Sequence, residues 1–152
     1  MGAVIEEIER AVSTLKLPPN AVRLLSPADG EAVYLAALRH FVSSADRRWW
    51  WEAFRQPGTR ARFEDGNAWR RIPAIVLRPH EAVWFMAEDD QLPYYPIFET
   101  TSHLASELIG QCYGFEYYLI AKDLSWLLCE NHHNVICAVG PVIEQRLLQN
   151  AT

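Results

Sequence analysis

Apolar positions at residues 3–15 follow a helical rhythm. Val4, Ile5, Ile8, Ala11, Val12 and Leu15 recur at helical spacing, with Glu6, Glu7 and Glu9 between them near the N-terminal end, where the helix dipole favours acids. Pro18-Pro19-Asn20 ends this helix, because proline cannot continue a helix interior. Ser26 followed by Pro27 reads as an N-cap with proline at the first helical position, and predicts a second helix to about Val42. Arg47–Phe54 predicts a short helix. Its three adjacent tryptophans cannot share one helical face, so at least one must stay partly exposed or cover another element.

The rhythm then changes. Residues 59–64 suit an edge strand, Asp65-Gly66-Asn67 a turn, and Ala68–Val76 a short helix. Strands follow at Ala82–Ala87 and Tyr95–Thr100, the second assigned to a sheet edge because of Pro96. Thr101 or Ser102 caps a helix to about Gln111, which Tyr113-Gly114 closes. Phe115–Ala121 alternates, with Phe115, Tyr117 and Leu119 on one face and Glu116, Tyr118 and Ile120 on the other. Ser125–Glu130 is the next strand and Asn131–Asn134 a turn, since asparagine tolerates left-handed backbone. Val135–Val139 is apolar throughout, as in a central strand covered on both faces. Gly140-Pro141 opens a closing helix. The pattern predicts one α+β domain over residues 1–152. It has N-terminal helices, a mostly antiparallel sheet of about five strands interrupted by one helix, and a C-terminal helix.

Composition agrees with a globular chain: 152 residues, half of them hydrophobic, with six each of Trp, Tyr and Phe. No apolar run is long enough to span a bilayer, and the acidic N-terminal stretch does not read as a signal peptide. Cys112, Cys129 and Cys137 form no Cys-x-x-Cys pair, which suits free thiols in a reducing cytoplasm. The net charge of −5 hides an asymmetry. Eight arginines crowd residues 47–78, whereas residues 79–152 carry ten carboxylates against Lys122 and Arg146.

Phosphate loops, dinucleotide fingerprints, nucleophile elbows and zinc-protease motifs are absent. No cofactor or metal is implied. Three polar groupings stand out instead. Cys129-Glu130-Asn131-His132-His133-Asn134 holds groups that bind metals or move protons, although adjacent histidines point apart in an extended chain; a solvated hairpin turn is the plainer alternative. Glu116 and Glu130 occupy the two arms of one hairpin. A suitable register would set them side by side for acid–base work, and a one-residue slip would put them on opposite faces. The arginine and tryptophan run at 47–71 suits nucleic acid, against which overall acidity argues. Glu88-Asp89-Asp90 is an acidic turn.

Phe98-Glu99-Thr100-Thr101, Tyr113–Leu119 and Leu124–His133 resemble an uncharacterised family of small bacterial domains of unknown function. The resemblance implies an α+β fold in the bacterial cytoplasm and supplies no activity. The order of helices, antiparallel sheet and closing helix is also similar in architecture to the SUKH superfamily, whose bacterial members include toxin-immunity proteins. The leading expectation is a non-enzymatic protein-binding domain, of immunity type, meeting a basic partner through Glu88, Asp89, Asp90, Glu116, Glu130, His132 and His133. An alternative is a small enzyme or ligand-binding domain using Glu116, Glu130 and His132 in a pocket walled by Trp84, Tyr118 and Trp126. A third is nucleic-acid binding through Arg47, Arg48, Arg55, Arg60 and Arg62.

Overall fold

A computed structural model describes residues 2–43, 50–89, 92 and 94–151. Among these, five helices surround one seven-stranded sheet in which every neighbouring pair is antiparallel. The helices are α1 (Ala3–Thr14), α2 (Pro27–Phe41), the short α3 (Ile72–Ile75), α4 (Ser102–Gly110) and α5 (Pro141–Gln149). The strands are β1 (Arg23–Leu24), β2 (Thr59–Arg62), β3 (Ala82–Ala87), β4 (Ile97–Thr101), β5 (Tyr117–Ala121), β6 (Leu127–Glu130) and β7 (Val135–Val139). They lie in the order β1-β4-β3-β5-β6-β7-β2. No helix among the described residues is long and apolar enough to cross a membrane.

The helix starts follow the expected chemistry. Ser26 Oγ accepts from Asp29 N–H at 3.2 Å at the head of α2, and Thr101 Oγ1 accepts from Leu104 N–H at 3.2 Å at the head of α4. Each bond satisfies a donor that the helix itself leaves open. Strand alternation then divides the core into two layers. Ile8, Ile72, Leu108 and Leu147 pack with Phe85, Tyr117, Leu119, Leu128 and Ile136 on one face. Leu38, Phe41, Trp50 and Trp51 pack with Met86, Tyr118, Ile120 and Leu127 on the other. Each fully buried side chain of this kind contributes about 1.5–3 kcal/mol, so both helical layers are needed to hold the sheet.

Three expectations change. The sheet has seven strands rather than about five, and its edges are β1, of two residues, and β2, of four. The strand after Pro96 is not an edge: β4 lies between β1 and β3, and Pro96 stands just outside it. Of the helix expected at 47–54, only the 3-10 turn Trp50–Glu52 is within the described residues; Arg47, Arg48 and Trp49 lie outside them. Trp50 and Trp51 are both buried, covering the sheet face on which α2 also packs.

Candidate functional site

Register decides which acidic residues meet. Tyr117 is the cross-strand partner of Glu130, so both side chains leave the face packed by α1, α4 and α5. Tyr117 Oη donates to Glu130 Oε1 at 2.8 Å. Burial pushes the Glu130 carboxyl above its ordinary value, and the tyrosine hydrogen bond opposes that rise. Glu116 is one residue before Tyr117 and therefore leaves the opposite face. The hairpin does not bring Glu116 and Glu130 together.

The partner of Glu116 is instead Glu88. The β3–β5 ladder runs through Ala87 opposite Tyr117, and continues with Glu88 N–H donating to Glu116 O at 2.9 Å. The two glutamates thus sit opposite each other on the face packed by Trp51, and their side chains hydrogen-bond. A bond between two carboxyl groups requires a proton on one of them, because like charges directly opposite repel. Burial raises the Glu116 carboxyl, but bonds from Glu88, from His132 and from Trp51 outweigh it and hold Glu116 below the ordinary range. Glu116 is the acceptor of the bonds from Trp51 and His132.

Glu116 also fixes the following turn. His132 N–H donates to its Oε2 at 2.6 Å, and His132 Nδ1 lies 2.7 Å from the same atom. Trp51 Nε1 donates to Oε1 at 3.3 Å. The turn is closed by Asn131, buried itself, whose Oδ1 accepts from His133 N–H at 2.9 Å. Asn134 takes the left-handed conformation, φ 61°, which asparagine tolerates. Adjacent imidazoles would diverge in an extended chain, but this turn brings the rings of His132 and His133 together, with centroids 4.0 Å apart and planes inclined by 47°. The Trp51 ring meets both edge-on, at 5.8 and 5.9 Å.

Strand β2 brings arginines to the same corner. Arg62 is the partner of Val135, next to the turn, and Arg60 is the partner of Cys137. Arg60 Nη2 donates to Trp51 O at 2.6 Å, and its guanidinium lies 5.9 Å from the Trp51 ring centre. Arg55 Nε donates to Arg39 O at 2.9 Å nearby in the chain. These residues form a surface of exposed imidazoles and guanidinium groups over a buried carboxyl pair.

Other expected members are elsewhere. Asp89 is buried with its carboxylate against Gly2 at the head of α1, where a Cβ on Gly2 would collide with it. Asp90 lies outside the described residues. The pocket walled by Trp84, Tyr118 and Trp126 is not assembled. Trp84 and Tyr118 pack on the Trp50 face, whereas Trp126 belongs to the other layer. Trp126 lines a cavity of about 420 Å³ with Val83, Leu77 and Val142, at the strand ends remote from His132. No group of three or more His, Cys, Asp or Glu among the described residues is arranged to hold a metal.

Sequence reasoning missed Trp51 and the Glu88–Glu116 pairing. The signal for Glu116 was present, since it shares the face of Tyr118 and Ile120. The neighbour across β3 is separated from it by β4 and α4 and left no local trace. In comparison with known proteins, a model of a family of unknown function (DUF6756) matches residues 3–151. No curated protein and no solved structure matches.

Proposed function

Because the chain belongs to this family of unknown function (DUF6756), we propose its role from the site alone. It is a non-enzymatic protein-binding domain whose contact face is the His132–Asn134 turn with Arg60 and Arg62 beside it. One observation carries the reading. The Glu116 side chain is 9% exposed and holds His132, whose side chain is 48% exposed. The acid is a support, and the turn is what a partner meets.

Arg60 and Arg62 put two exposed guanidinium groups beside the turn, with the exposed Glu52 and Glu64 at the margin, and a partner that pairs with the arginines through an acidic contact surface is favoured by complementarity. This reverses the sign expected from the acidic C-terminal half, because Glu88, Glu116 and Asp89 are turned inward and present little charge to a partner. A toxin-masking role is one form of this reading and calls for a toxin whose contact face is acidic.

A second reading, acid–base catalysis, is favoured by two glutamates facing each other across β3 and β5 beside an imidazole. It requires a substrate to reach a carboxylate that stands behind Trp51 and the turn. Native co-purification on the immobilised chain separates these roles. A protein retained by the wild type, released as salt rises, and lost with Arg60→Glu/Arg62→Glu is the expected result. Retention unchanged by the double reversal contradicts it, and retention of nucleic acid in place of protein would substitute the arginine-tracking role.

A further inference from the structure

We propose that Cys129 and Cys137 form an oxidation site, a dithiol that closes to an intramolecular disulfide when a peroxide reaches it. The two residues are direct partners across β6 and β7, so their side chains leave the same face. Asn131 N–H donates to Val135 O, which makes that pair a hydrogen-bonded one, and the alternation returns to a bonded pair at Cys129 and Cys137. Such pairs set their Cα atoms about 5.5 Å apart, inside the roughly 4.4–6.8 Å that a disulfide spans. The Cβ atoms of such a pair stand roughly 5–5.5 Å apart, beyond the roughly 3.5–4.5 Å of a relaxed disulfide, so closing the bond draws the two strands together and leaves it easily reduced. The two thiols face each other closely enough to perturb each other's ionisation.

The surroundings divide the roles. The hydrogen bond from Cys129 holds Cys137 below the ordinary thiol value against the opposing effect of burial, and Arg60, its partner on β2, adds to the lowering. Burial pushes Cys129 well above it. With the cationic Arg60 as its direct cross-strand partner on β2, Cys137 is the attacking sulfur and Cys129 the resolving one. The Cys137 thiolate attacks an oxygen of hydrogen peroxide; an S–O bond forms, the O–O bond breaks, and the departing hydroxide is protonated by solvent. The sulfur of Cys129 then attacks the sulfenic sulfur of Cys137. The S–S bond forms, the S–O bond breaks, and the leaving hydroxide takes the Cys129 proton. Two thiols lose two electrons in all, and one peroxide becomes two waters.

Both thiols are buried, at 1% and 2% exposure, on the sheet face covered by Leu38, Phe41, Trp50 and Trp51, with Cys137 one strand in from the four-residue edge strand β2. Peroxide entry proceeds through local opening of that edge. Cys112 is the internal control. It has no cysteine opposite it, and burial followed by the Glu7 charge raises its thiol to about 11.

The test treats the full chain with stoichiometric hydrogen peroxide, unfolds it with an alkylating agent present, and maps the peptides by mass spectrometry. The expected product is two hydrogens lighter, links the Cys129 and Cys137 peptides, and takes one alkyl group, on Cys112. Dithiothreitol then restores all three alkylation sites. Cys137→Ser and Cys129→Ser each abolish the link, although the wild-type map is decisive without them. Three thiols still alkylating, sulfinic acid in place of the link, or a dimer joined through Cys112 would each overturn the proposal.

Discussion

The carboxylate of Glu116 receives both the backbone N–H and the ring Nδ1 of His132, at 2.6 and 2.7 Å. A buried acid thereby sets the conformation of an exposed turn. Removing the acid should loosen the turn, and moving the acid by one residue would send it to the other face of the sheet. Both consequences can be measured.

Glu116→Gln is expected to lower unfolding stability at neutral pH by about 2 kcal/mol, the usual range for a charge-assisted hydrogen bond. Its folded value lies below the unfolded one. The stability it contributes is therefore fully present above the ordinary carboxylate range and is lost as pH falls through the folded value. Urea unfolding of wild type and variant should show two curves that converge in acid. A constant difference across pH would contradict the assignment of Glu116 as the ionised acceptor.

Glu130→Gln should behave in the opposite way. Burial raises its folded value above the unfolded one, so the ionised group costs stability at neutral pH, and the cost is relieved as pH falls through the folded value. The glutamine oxygen can still accept from Tyr117 Oη. The variant is expected to be more stable than wild type at neutral pH and to lose that advantage in acid. If both variants show the same pH dependence, the separation of the two glutamates onto different faces is wrong.

The head of α5 is a backbone constraint. Gly140 has φ 130°, and a Cβ there would lie 2.7 Å from Ser125 O and 2.9 Å from Trp126 Cβ. Gly140→Ala should cost about 1–3 kcal/mol from the backbone conformation alone, with the clash added to it. Gly66→Ala shares a positive φ, 73°, but meets nothing within 4 Å. It should cost less. Thermal unfolding of the two variants orders them, and equal losses would contradict the close approach.

Loss of a cap is a smaller effect. Thr101→Ala removes the acceptor for Leu104 N–H and should cost about 1 kcal/mol. Hydrogen exchange should rise first in the first turn of α4. Unchanged exchange there would mean that another group replaces the threonine.

Local periodicity explains what was legible. The α1 stripe, the Ser26 cap and the split of Tyr117 and Leu119 from Tyr118 and Ile120 follow from helical and strand spacing. Asn134 at positive φ follows from asparagine chemistry. Non-local pairing explains what was not. β1 has two residues, too few for alternation, yet it covers β4 and makes an interior strand of a segment that follows proline. Glu88 was visible as an acidic turn residue, but its meeting with Glu116 depends on β3 pairing with β5 across an intervening strand and helix. Trp51 reaches Glu116 from a segment 65 residues away, and no spacing rule points to that contact.

The central claim is that Glu116 holds the imbedded ring nitrogen of His132 and so fixes the turn a partner meets. Nitrogen-15 NMR of the histidine rings, at a pH where they are neutral, tests it most directly. The predicted result is a proton on His132 Nδ1, donated to Glu116, with Nε2 unprotonated. A proton on Nε2 and a bare Nδ1 would contradict it.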